Sequence, residues 1–144
     1  MCNYCGCRDF PLIARLTAEH ETIADAAGRL RDAISDGGDA PARLDDLLAL
    51  LLPHTSTEET GLFTDLRVEG SLTEAVDKLC AEHDDIHGVL GAVDRVNPDW
   101  PAVLAALEQL RPLATEVLVA IFQPRMTQAT EKAFGRELDR RVKG

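Results

Sequence analysis

Basic residues are scarce in this chain. Fifteen Lys and Arg stand against 25 Asp and Glu, a formal charge of -10 over 144 residues. A nucleic-acid backbone needs a basic face, so that class of partner is excluded, and no basic patch is available for an anionic membrane. Long hydrophobic runs are also missing. None approaches the ~20 residues of a membrane span. The first residues lack the basic segment and apolar run of a secretory leader, so the expected location is cytoplasmic. Aromatic residues make up only 4% of the chain although 45% is hydrophobic. The apolar content is therefore mostly Ala, Leu and Val, which suits helices packed in a bundle. No glycine-rich phosphate loop is present, and the histidines suggest no Ser-His-Asp arrangement. The four cysteines of a cytoplasmic chain read as thiols or metal ligands rather than disulfides.

The length suits one domain with one core. Its expected parts are a Cys-rich segment at 1–9, a helical bundle at 10–123 and a helical segment at 124–144. Asp9-Phe10-Pro11 reads as a helix start, with Asp as cap and Pro in the first turn. Leu12, Leu16, Ile23, Ala27, Leu30 and Ile34 then recur on one side at helical spacing. Asp36 to Pro41 ends that helix. A second is expected from about Ala42 through Leu44, Leu47, Leu48, Leu51 and Leu52 to about Arg67, bent by Pro53. Ser71-Leu72-Thr73-Glu74 reads as a capping box for a third helix carrying Val76, Leu79, Cys80, His83, His87 and Leu90. Asn97 to Pro101 is a turn in which Trp100 packs. A fourth helix then runs through Val103, Leu107, Leu110, Leu113, Val117 and Ile121. The expected fold is all-α, an antiparallel up-down four-helix bundle with a short C-terminal helical extension.

The chain's only four histidines are His20, His54, His83 and His87. His54 pairs with Glu58, and His83 with His87, each four residues apart, so each pair shares one face of a helix. Histidines scattered for packing would not pair in this way. Imidazoles and a carboxylate facing inward between helices make a transition-metal site. An internal repeat supports this. Leu16 to Ile23 resembles Leu79 to Ile86, which sets His20 level with His83. Leu52 to Phe63 resembles Arg111 to Phe122, with Pro53 matching Pro112. That alignment puts Leu113 where His54 stands and Val117 where Glu58 stands.

The order His, His-x-x-x-Glu, His-x-x-x-His on successive helices resembles the hemerythrin-like (HHE cation-binding) family. So does the segment Glu58-Glu59-Thr60-Gly61-Leu62-Phe63 that follows His54. Met1-Cys2-Asn3-Tyr4-Cys5-Gly6-Cys7 looks like a subgroup of small actinobacterial members. The resemblance covers roughly residues 1 to 125. It implies a bundle in which two irons share carboxylate bridges and bind O2 or related small ligands. By position, His20 and His54 would hold one iron, His83 and His87 the other, and Glu58 would bridge them. The family's fourth helix supplies a further His and a second bridging carboxylate, where this chain has Leu113 and Val117. Glu116, one residue away, is a candidate additional ligand. A single metal held by some of the five residues is an equal alternative.

The implied function is that of a non-heme metal protein, with one or two irons per chain, reacting with O2, peroxide or NO. With two fourth-helix ligands missing, the opened site has room for an organic substrate. Leu113, Val117 and Ile121 would line an apolar pocket beside the metal, and Cys80 would lie near it. A competing reading makes Cys2, Cys5 and Cys7 a soft-sulfur site for zinc or copper, or a redox sensor acting on a partner. A third is a structural bundle with a decayed site. The amphipathic C-terminal segment is compatible with a homodimer.

Overall fold

Leu16, Ile23, Ala27 and Leu30 are all buried, as one stripe of a helix facing a core should be. The structure, a computed structural model, describes residues 11–70 and 73–110. Every regular element among them is helical. The stripe belongs to α1, Pro11–Asp36. Gly37 ends that helix at a φ of 74°, a left-handed conformation that costs glycine nothing. The Gly38 N–H then closes back on Ala33 O at 2.8 Å, the wrap-around cap that satisfies a terminal carbonyl.

The next helix, α2, spans Ala40–Thr57 and starts two residues earlier than the sequence suggests. Asp39 caps it by accepting from Ala42 N at 3.1 Å, and Pro41 sits inside its first turn. There the missing proline N–H costs nothing. Leu44, Leu47 and Leu51 are buried, whereas Leu52 is 51% exposed. Pro53 lies inside this helix, and a further irregularity follows it. The helix runs through Pro53 to Thr57 and then widens into a π-helical turn, Glu58–Phe63. It resumes as α3, Thr64–Glu69, ended by Gly70 at a φ of 85°.

The third arm, α4, covers Thr73–Gly91 and buries Val76, Leu79, His83, Ile86 and Leu90. Ser71, the expected cap, lies outside the described residues. Asp99 opens a further helical run at 100–110 by accepting from Ala102 N at 3.1 Å. This run is α5. Its Val103, Ala106, Leu107 and Leu110 join the core, with Trp100 packed against it.

Cross-helix contacts fix the topology. Glu19 meets His54 and His20 meets Glu58 across the α1–α2 turn. Thr55 meets His87, Glu59 meets His83 and Arg67 meets Asp77 across the next one. In the second set one residue number rises as the other falls, so those arms run antiparallel, and the short 37–39 turn folds α2 back along α1. Arg31 of α1 reaches Glu108 of α5 at 3.0 Å, and Arg95 ties the 92–99 connection to Asp45. Leu16, Leu30, Leu44, Leu47, Leu90 and Val103 are fully excluded from solvent. Each such side chain contributes about 1.5–3 kcal/mol of transfer free energy. No described helix is long and apolar enough to cross a membrane. The expected segments 1–9 and 124–144 lie outside the described residues.

Candidate metal centre

The second arm loses regular helical bonding where the site is built. Pro53 has no N–H to give, and from Glu58 the turn is one residue wider than an α-turn. Threonine hydroxyls take up the carbonyls along this stretch. Thr55 bonds Leu51 O at 3.1 Å, Thr57 bonds Pro53 O at 2.9 Å and Thr60 bonds Ser56 O at 2.7 Å. Thr64 bonds Glu59 O, five residues back, at 2.9 Å. Single π turns inside α-helices gather at functional sites. Here the widened turn begins with two adjacent carboxylates, and both find imidazoles.

Glu58 is only 1% exposed. Its Oε1 lies 3.1 Å from His20 Nε2 and 3.3 Å from His54 Nε2, and its Oε2 lies 3.5 Å from His83 Nε2. One buried carboxylate thus joins imidazoles from α1, α2 and α4. The His20 and His54 rings meet edge to face with centroids 4.4 Å apart. Phe63, fully buried, stacks over His83 at 5.8 Å.

Two further carboxylates hold the outer ring nitrogens. His54 donates Nδ1–H to Glu19 Oε2 at 2.8 Å, and Glu19 Oε1 accepts from Arg15 at 2.6 Å. His83 donates Nδ1–H to Glu59 Oε1 at 3.1 Å. A groove of about 390 Å³ runs past Arg15, Glu19, Ile23, Leu50 and Pro53 to the outer edge of His54. Solvent therefore reaches the Glu19 side of that imidazole, while its Nε2 side is sealed.

Charge follows this geometry. Burial opposes ionisation of Glu58, yet the hydrogen bond from His20 and the adjacent imidazole charge of His54 and His20 overcome it and pull the carboxyl down to about 2. Burial also disfavours a charged His54, but Glu58 and Glu19 together raise its pKa above the ordinary imidazole value. His87 moves the other way, lowered by burial and by nearby His83.

The side chains fit a cation. His54 Nε2 is buried, faces Glu58 and has no hydrogen-bond partner. An orphaned buried nitrogen costs free energy, and coordination is a way to satisfy it. The ligand atoms of His20, His54 and Glu58 all lie within 4.8 Å of one another. Imidazole with carboxylate is a donor set for transition metals.

Of the residues singled out in the sequence, His20, His54, Glu58 and His83 converge. His87 stands apart from them. Thr55 spends its own proton on Leu51 O, so its oxygen accepts His87 Nε2–H at 2.8 Å. Cys80 is half-buried and accepts from Arg67 at 3.3 Å rather than from the imidazoles. Burial pushes its thiol pKa up. Cys2, Cys5, Cys7, Leu113, Glu116, Val117 and Ile121 lie outside the described residues. Glu59 has no histidine four residues away on its own helix, so spacing gives it no role. Its side chain is 37% exposed and bonded to His83. Glu19 and Thr55 are missed altogether, because each acts on a histidine of a different helix and helical spacing reports only on partners along one helix. The one available signal is adjacency, Glu19 beside His20 and Glu59 beside Glu58.

A family model described as the hemerythrin HHE cation binding domain matches residues 12–136. No curated protein and no solved structure matches the chain.

Proposed function

Because the chain belongs to the hemerythrin HHE cation-binding domain family, we propose that it is a non-heme iron protein reacting with O2, peroxide or NO. The carrying observation is the Glu58 carboxylate, buried among three imidazoles with one oxygen toward His20 and His54 and the other toward His83. Iron held there supplies redox and Lewis-acid chemistry for small oxygen and nitrogen ligands.

The protein's own contribution is to hold and orient. His20, His54 and Glu58 form one ligand group. His83 meets the second Glu58 oxygen, so the same carboxylate can serve one ion or be shared by two. Phe63 covers the face of His83 and keeps water from that side. His87 becomes available to a second ion once its bond to Thr55 is given up. An organic substrate is a further candidate partner, and oxidation of it a candidate reaction.

The test is metal analysis of the full chain purified without added metal, with an absorption spectrum before and after exposure to O2. The expected result is one or two irons per chain and a visible spectral change with O2. Absence of bound iron, even after anaerobic Fe2+ loading, would overturn the proposal.

A further inference from the structure

We propose that Glu19 and Glu59 are positioning residues: they fix the ring proton of His54 and His83 on Nδ1, turn both Nε2 lone pairs toward Glu58, and leave His20 as the ligand that yields first. The inference rests on the reading of this cluster as a cation site.

A carboxylate can only accept, so each bond to Glu19 and Glu59 requires a proton on the histidine Nδ1. In a neutral imidazole the other nitrogen then carries the lone pair. His54 Nε2 and His83 Nε2 face Glu58 at 3.3 and 3.5 Å, so both are already in the form that binds a cation. His20 is set the opposite way. Its Nε2 lies 3.1 Å from Glu58 Oε1 and donates to it, while its Nδ1 is buried without a partner. To bind a cation through Nε2, His20 must move its proton to Nδ1. No partner receives it there in this arrangement, and a buried donor is left unpaired. Thr17 Oγ1, one turn earlier on α1, is itself buried and unpartnered, but it makes no bond to the ring.

Outer carboxylates of this kind orient ligating imidazoles and raise their basicity. The arrangement is selective within the chain. Glu82 stands directly before His83 as Glu19 stands before His20, yet it pairs with Lys78 at 3.6 Å and serves no histidine. An exogenous ligand entering the coordination sphere should therefore displace His20 before His54 or His83.

The experiment combines two measurements on the full chain. Long-range 15N–1H NMR on metal-stripped protein, at a pH well above the imidazole range, reads which nitrogen carries each ring proton. Titration with Co2+ alone reads affinity. The expected result is Nδ1–H for His54 and His83 and Nε2–H for His20. Glu19→Ala and Glu59→Ala should each release that preference in the partner ring and weaken Co2+ binding about 10- to 100-fold. Glu82→Ala should change neither, and His20→Ala should cost less affinity than His54→Ala. Wild-type His54 and His83 protonated on Nε2 would overturn the inference without any variant having to fold. So would wild-type Co2+ affinity in both Glu variants. No Co2+ binding by the wild type would overturn the cation reading itself, and the inference with it.

Discussion

Glu58 of the π turn and His20 of α1 approach to 3.1 Å in a region from which water is almost wholly excluded. Thirty-eight residues separate them in sequence, and the α1–α2 hairpin is what brings them together. A buried charge is tolerated only when it is paired and hydrogen-bonded. The imidazoles meet that condition for Glu58, and in return the carboxylate draws three of them to one point.

Glu58→Gln should therefore abolish tight cation binding while keeping the fold. The amide matches the carboxylate in shape, so it fits the same buried space, but its charge and one of its acceptor oxygens are gone. Metal content per folded chain is the measurement, with far-UV circular dichroism as the check on folding. Unchanged metal content would remove Glu58 from the ligand set.

His83→Ala and His87→Ala should separate. His83 Nε2 already faces Glu58, whereas His87 Nε2 is engaged by Thr55. Losing His83 should weaken the first cation at least 10-fold, since a ligand counts for no less than the outer partners that orient it. Losing His87 should leave the first cation within a few-fold and reduce only a second. Calorimetric titration with Co2+ distinguishes the two, and equal losses would show that His87 moves into the first site.

The helical fold was legible because Leu16, Ile23 and Leu30 repeat at the helical period, and helix burial follows that period. The meeting of His54 with Glu58 was legible for the same reason, as residues four apart on one helix face are neighbours. What escaped reading has a physical cause in each case. Glu58–Phe63 carries no proline, and the widened turn there depends on how the arm packs on its neighbours rather than on local propensity. Leu52 continues a leucine-rich run, but Leu47, Leu48, Leu51 and Leu52 together span more of the helix circumference than the bundle buries. Glu19 and Glu59 reach histidines of neighbouring helices, so their roles depend on helix crossing, which spacing along one helix does not encode.

Gly37→Ala should destabilise the protein by about 1–2 kcal/mol, because φ at this residue is 74°. The added methyl would meet no neighbour, so the loss is conformational rather than steric. Metal bound per folded chain should not change, since the turn is remote from the imidazoles. Urea denaturation of the two proteins measures the difference. A stability equal to wild type would mean that the turn relaxes out of the left-handed region.

Acid should destabilise the metal-stripped protein through Glu58, and base should weaken it through His54. The Glu58 carboxyl falls from an ordinary 4.5 to about 2 in the fold. A lowered carboxyl stabilises the folded state in full above the ordinary value, and the contribution fades as pH drops toward 2. The shift corresponds to about 3 kcal/mol. His54 has the opposite sign, being raised above 6.5. Its contribution is complete below that value and is lost as pH climbs through the folded pKa. Stability without metal should therefore be greatest in the weakly acidic range between the two. A bound cation competes with the proton for His54 Nε2, so metal should add most stability on the alkaline side and least in acid. Urea midpoints measured across pH, with and without Co2+, test both limbs. Glu58→Gln should flatten the acid limb, and an acid limb unchanged in that variant would place its origin in another carboxylate.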